Sequence, residues 1–202
     1  MNPNDNLSLS IKDRKILRNL AGQVAELANR PLEKKKAELW LKHNKLEKTR
    51  PLVFCDPEHG WTEIIPKNSL ECENERARNW EYLLKKEIFW GKYMNDDRVI
   101  ESYFRIPYEH TNSGWGMQEI RVKTAEEGSF IWDAPLKDYS QMNLLHFPKI
   151  NVDYKKTNEI LDLLNSIFGD LLPTKVNMGW WWSLGMTQTL IYIRGLERFM
   201  LD

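Results

Sequence analysis

Pro51-Leu52-Val53-Phe54-Cys55, followed by Asp56-Pro57-Glu58-His59-Gly60, is the stretch on which the fold reading turns. A short apolar run ending in turn chemistry suits a strand buried on both faces, as in a parallel sheet, with a loop at its carboxyl end. Folds of the α/β class place function on such loops. Asp56 or Glu58 could act as a base or hydrogen-bond acceptor, His59 could change protonation near neutral pH, and Trp61 stands at the loop's end. The same residues also read as a polar surface turn.

Ahead of that run, Ile16, Leu17, Leu20, Val24 and Leu27 recur at three- and four-residue spacing, which predicts an amphipathic helix from Ile11 to about Arg30. Pro31 suits the first turn of a second helix carrying Leu32, Leu39, Trp40 and Leu46. Residues 1–50 read as a helical extension, and 51–202 as the body. Behind the run, Trp61 to Ile65 reads as extended, and Leu70 to Met94 as a long helix with Trp80, Leu83, Leu84, Glu87, Ile88 and Gly91 on one face. Arg98 to Tyr108 and Glu119 to Thr124 alternate as strands, and the turn Gly114-Trp115-Gly116 between them predicts an inserted β-hairpin. Asp138 to Pro148 is a short helix or turn; a helix capped by Thr157 closes at Gly169; Thr174 to Met178 is a strand. A helix from Thr187 then runs to Asp202. Its apolar end (Leu196, Phe199, Met200, Leu201) reads as a chain stopping before its fold does.

Lysine plus arginine and aspartate plus glutamate each number 29, so the net charge is zero, which argues against nucleic acid as the main partner. The charge is uneven: Ser10 to Arg50 carries 12 basic and 5 acidic residues, Pro51 to Asp202 carries 17 and 23. A basic stretch of this kind is either a solvated helical face or a site for an acidic partner protein. No run approaches a membrane span, the start is not a signal peptide, and two cysteines, Cys55 and Cys72, read as free thiols in a reducing cytoplasm.

The standard signatures are missing: no G-x-G-x-x-G, no G-x-S-x-G, and no C-x-x-C or H-E-x-x-H to hold a metal within this chain. The most unusual segment is Met178-Gly179-Trp180-Trp181-Trp182. Three adjacent indoles cannot all enter one core, because neighbouring strand side chains alternate in direction, so they read as a ligand wall or a packing surface. Trp115 reads as part of a lid or as a hairpin tip folded back on the core.

The ordered set Arg76-Ala77-Arg78-Asn79-Trp80-Glu81-Tyr82-Leu83-Leu84, Glu87-Ile88-Phe89-Trp90, Asp96-Asp97-Arg98-Val99, Gly114-Trp115-Gly116, Asp138 to Pro148 and Arg194 to Asp202 resembles the N-terminal half of uroporphyrinogen decarboxylase-like proteins. The resemblance implies a partial (β/α)8 TIM barrel, α/β in class, with the helical extension in front and too few residues to close. Members divide between decarboxylases of tetrapyrrole acetate groups and methyltransferases that use corrinoid proteins or thiols. The decarboxylases carry an arginine-rich motif where this chain has Cys55-Asp56-Pro57-Glu58-His59-Gly60, and acidic residues there would repel a polyanionic substrate. The resemblance therefore points to the methyltransferase branch: a small methylated substrate, a corrinoid protein as partner, and a zinc whose ligands would come from the family's second half. In that picture Asp56, Glu58, His59, Trp61, Trp115, Met178 and Trp180 to Trp182 line the barrel mouth, where aromatic faces suit a methylated cation. The alternatives are decarboxylation, and a non-enzymatic half-barrel that acts by associating with itself or a partner through exposed residues such as Phe199 and Leu201.

Overall fold

The computed structural model describes residues 7–123, 130–178 and 185–202. They fall into two compact units, each assembled from two stretches: the described residues up to 106 with 157–177, and those of 107–156 with those from 178 onward.

The first unit is built on helices. Helix α1 (Ile11–Ala28) starts where the Ser10 hydroxyl accepts from the Asp13 amide at 3.0 Å. Helix α2 (Pro31–Asn44) starts on proline, whose missing N–H costs nothing in a first turn. A short helix α3 (Trp61–Ile64) follows, then α4 (Glu75–Tyr93), capped by the Asn74 side chain accepting from Arg76 and Ala77 amides. Leu17, Ala21 and Val24 of α1 and Ala77, Trp80 and Leu84 of α4 make the core, and these two helices pack on each other along their length. Strand β1 (Phe104–Ile106) ends the first stretch. The chain returns in α5 (Tyr154–Phe168), whose Ile160, Leu164, Ile167 and Phe168 are buried, and β6 (Thr174–Val176) pairs parallel with β1 in the register Phe104↔Thr174. Phe168 meets Phe104 edge to face at 5.8 Å.

The second unit contains β2 (His110–Asn112), β3 (Ile120–Lys123), β4 (Phe130–Asp133), β5 (Ile150–Val152), α6 (Met186–Arg194) and α7 (Leu196–Leu201). β2 pairs antiparallel with β5, and β3 antiparallel with β4. A six-residue 3-10 turn at Tyr139–Leu144 is closed by a capping box between Asp138 and Gln141. The single helix expected from Thr187 is broken at Gly195, whose φ of +86 only glycine adopts without cost. Arg194 then grips Asp202 with two hydrogen bonds of 2.8 and 2.9 Å. Phe199 and Leu201 are exposed.

The expected (β/α)8 barrel is corrected by this architecture. Every sheet among the described residues has two strands, and the one parallel pair, β1 with β6, has no third. The reason lies in residues 51–55. Their amides do not meet a neighbouring strand: Val53 N–H donates to the Asp97 carboxylate at 2.8 Å and Cys55 N–H to Asp96 at 3.1 Å. Val53 and Phe54 are more than half exposed. An apolar run satisfied by two aspartates reads, in sequence, like a strand satisfied by a sheet. The expected hairpin of 98–108 with 119–124 is likewise replaced, because β1 takes β6 and β3 takes β4. Trp61 to Ile64 is helical rather than extended. Thr157 lies buried inside α5, while Asp153, just before the helix, accepts from the Lys156 amide.

This arrangement makes the 50–55 segment acid-sensitive. The Arg50 guanidinium and the Val53 amide hold the Asp97 carboxyl down, from an ordinary value of 3.8 to about 2. A carboxyl lowered by folding contributes stability that is complete above its unfolded value and is lost as pH falls through its folded one. Protection of the Val53 and Asp97 amides, taken relative to their intrinsic exchange rates, is therefore expected to fall between about pH 4 and pH 2. The effect should be missing from Asp97→Asn, and wild-type protection unchanged across that window would refute the account.

Candidate functional site

Five carboxylates are buried among the described residues of the first unit: Asp13, Glu33, Glu81, Asp96 and Asp97. Buried acids near one another usually suggest chemistry. Here each is committed to holding irregular backbone. Asp13 accepts from the Glu73 amide at 2.8 Å; Glu33 from the Ile100 amide at 2.9 Å; Glu81 from the Glu71 and Cys72 amides at 2.9 and 2.8 Å. Asp96 takes the Cys55 and Arg98 amides and the Trp90 indole N–H at 3.0 Å. Cations complete the scheme: Arg30 and Lys36 on Glu33, Lys85 on Glu81, Arg50 on Asp97. Burial pushes the Glu81 carboxyl up, but the Lys85 ammonium and the two amides outweigh it and hold it below its ordinary value. Burial also pushes the adjacent Cys72 thiol up, with Glu81 adding to the effect, which keeps it protonated and unreactive.

The residues expected to line a barrel mouth are distributed as follows. Asp56 and Trp61 are together: the indole N–H donates to Asp56 Oδ1 at 2.7 Å, and the Glu58 amide donates to the same oxygen at 3.0 Å. Burial raises the Asp56 carboxyl, and these two bonds with nearby Lys86 and Arg98 bring it below its ordinary value. Trp61 is buried, with Lys86 Nζ 4.5 Å above its ring. Glu58, at φ +51, and His59 are exposed. Trp115 belongs to the second unit, where it meets Phe147 at 5.9 Å and its carbonyl accepts from the His146 amide at 3.1 Å. It borders a hollow of about 530 Å³ with Gly116, Glu119, His146 and Tyr192. Met178 is exposed, and Trp180, Trp181 and Trp182 lie outside the described residues. Among the described residues no three His, Cys, Asp or Glu side chains converge as a metal would require.

A hollow of about 650 Å³ in the first unit takes in none of those positions. One wall is α2, which supplies Ala37, Trp40, Leu41 and Asn44 at helical spacing. Phe54 and Leu83 add further apolar surface, and buried Val24, Phe104 and Leu172 form the floor. The Trp40 indole N–H is anchored to the Asp97 carbonyl at 2.7 Å, and Phe54 stacks on Trp90 at 5.5 Å. Along the opposite wall the charges are paired. Arg98 binds Glu87 through two bonds of 2.5 and 2.8 Å while lying 4.2 Å from the Trp90 ring centre, and Arg105 binds Glu101 at 3.0 Å. The arrangement presents desolvatable apolar surface with no free nucleophile or base inside it. Leu41 and Phe54 are nevertheless 61% and 55% exposed. Sequence reading assigned Phe54 to the interior of a sheet and so missed this wall; the signal was Asp96-Asp97, two acids placed to take the run's amides.

No protein-family model matches the sequence, and no solved structure matches it. Protein AF-9 homolog of Kluyveromyces lactis is similar, at 28% identity over 126 residues covering 55% of this chain and 53% of its own. The chain thus spans about half the length of the curated relative it matches. That name connects with neither methyl transfer nor a corrinoid protein. With no barrel among the described residues to form a mouth, the expectation of a corrinoid-linked methyltransferase on a TIM barrel of the uroporphyrinogen decarboxylase type is withdrawn. No helix among the described residues is long and apolar enough to cross a membrane.

Proposed function

We propose that this chain is a non-catalytic binding module whose working surface is the aromatic groove of its first unit, and that the groove takes an apolar segment of a partner polypeptide. The observation that carries this reading is the exposure of Leu41 and Phe54 at the edge of a hollow whose charges are already paired with one another. Val53, next to Phe54 in the chain, and Leu46, two residues beyond Asn44, add exposed apolar side chains beyond the hollow's own lining. An amphipathic segment laid into a groove uses such side chains, with anchors at successive turns. The two unpaired thiols, Cys55 and Cys72, fit a reducing, cytoplasmic setting for that work.

The test is anisotropy of a labelled amphipathic peptide with leucine on one face and glutamine on the other. Wild-type chain should bind it, and Leu41→Asp should weaken binding by about tenfold or more, the loss expected for one apolar anchor. Because Leu41 is exposed, that variant should melt with the wild type. Equal binding by both proteins would overturn the reading. So would a concentration-dependent dimer of the chain that Leu41→Asp abolishes, since the occupant would then be a second copy.

A further inference from the structure

Resting on that reading of the groove, we infer that the segment it takes is acidic: an amphipathic stretch with an apolar face and aspartate or glutamate beside it. The inference comes from an asymmetry between the two lips. On one, Arg98 and Arg105 are neutralised by Glu87 and Glu101. On the other, α2 brings lysines that nothing neutralises. Lys34 stands one turn before Ala37, and Lys45 one turn beyond Leu41, so both flank the stripe that lines the groove. Lys34, Lys35, Lys42, Lys45 and Lys48 are all exposed, and among the described residues no ion pair or hydrogen bond engages their amines. Exposed acids on this stretch are two, Glu38 and Glu47.

Helix stability accounts for only part of this. Lys42 and Lys45 lie at the C-terminal end of α2, where a cation offsets the partial negative charge of the last carbonyls. Lys34 and Lys35 lie near its beginning, where the same dipole disfavours a positive charge. Lys34 and Lys45 stand on the same flank of that stripe with Glu38 between them, which leaves one edge of the apolar hollow with a net positive charge, whereas Lys35 falls on the far face of α2. A segment with leucine or phenylalanine facing inward and carboxylates facing α2 satisfies both features at once.

The experiment uses the full chain and three labelled peptides that share one apolar face and carry glutamate, glutamine or lysine on the other. The glutamate peptide should bind about tenfold tighter than the glutamine one at low salt, as expected of two or three exposed charge pairs, and the gap should close as salt rises. The double variant Lys34→Glu/Lys45→Glu should erase or invert that preference while leaving glutamine-peptide binding unchanged. Equal binding of all three peptides, with no effect of the double variant, overturns the acidic partner and leaves the groove reading standing. Failure of every peptide, or binding indifferent to Leu41→Asp, overturns the groove itself. Sedimentation with phosphatidylglycerol vesicles by a chain that ignores the glutamate peptide overturns the inference in favour of a lipid surface.

Discussion

Glu81→Ala is expected to lower the melting temperature by about 10 °C, corresponding to roughly 3–5 kcal/mol for a chain of this size. The side chain is fully buried on α4 and holds three groups: the Glu71 amide, the Cys72 amide and the Lys85 ammonium at 2.7 Å. Alanine removes the acceptor and leaves the buried Cys72 N–H, the part-buried Glu71 N–H and a partly buried cation with nothing to receive them. The desolvation of those orphans, more than the lost attraction, sets the magnitude. Glu81→Gln keeps an acceptor oxygen and should recover part of the loss. Calorimetry of the three proteins checks the order; an alanine variant melting within about 2 °C of wild type would refute the assignment.

Gly116→Ala is expected to destabilise the second unit by about 3 kcal/mol. At φ +88 an L-residue is strained, and a β-carbon there would collide with the Leu144 carbonyl oxygen and approach the His146 ring to 2.9 Å. The Leu144 contact is with backbone, so the 3-10 turn itself would have to move. Gly114, two residues earlier, provides the control. Its φ is also positive, at +65, but nothing lies within 4 Å of a β-carbon there. Gly114→Ala should therefore cost only the conformational part, about 1 kcal/mol. Amide exchange around Trp115 and His146 reads the difference, and equal protection in the two variants would show that the close approach is unimportant.

Much of the helical frame was legible because helical periodicity survives in the residues themselves. The three- and four-residue spacing in α1 and α5 corresponds to positions that pack in the core, whereas of the stripe expected on α2 Trp40 lines the groove and Leu32 and Leu46 are exposed. Pairing was not legible. Nothing in Arg98 to Tyr108 distinguishes a strand that turns back on the next one from a strand that waits for residues 174–176. The 51–55 run shows why the fold reading failed: hydrophobicity reports a preference for leaving water, and is silent on whether a strand or a pair of aspartates takes the amides. The candidate site suffered from the same ambiguity. Asp56 was legible as a functional carboxylate, yet its partner is the Trp61 indole, so it shapes the turn. A sharper signal was present in α4, where Ala77, Trp80, Glu81 and Leu84 share one helical face, with a glutamate at a core position. An acid inside an apolar stripe marks a place where backbone must be received.

The interleaving of the two units has a consequence for biosynthesis. β1 leaves the ribosome long before its partner strand, because the whole span from Pro107 to Lys156 is translated between the two stretches of the first unit. At ordinary elongation speeds the wait is on the order of 4–14 s. Throughout it the nascent chain carries Phe104 and Ile106 uncovered and the α1–α4 pair without Phe168, so this is the interval in which a holdase would find most to grip.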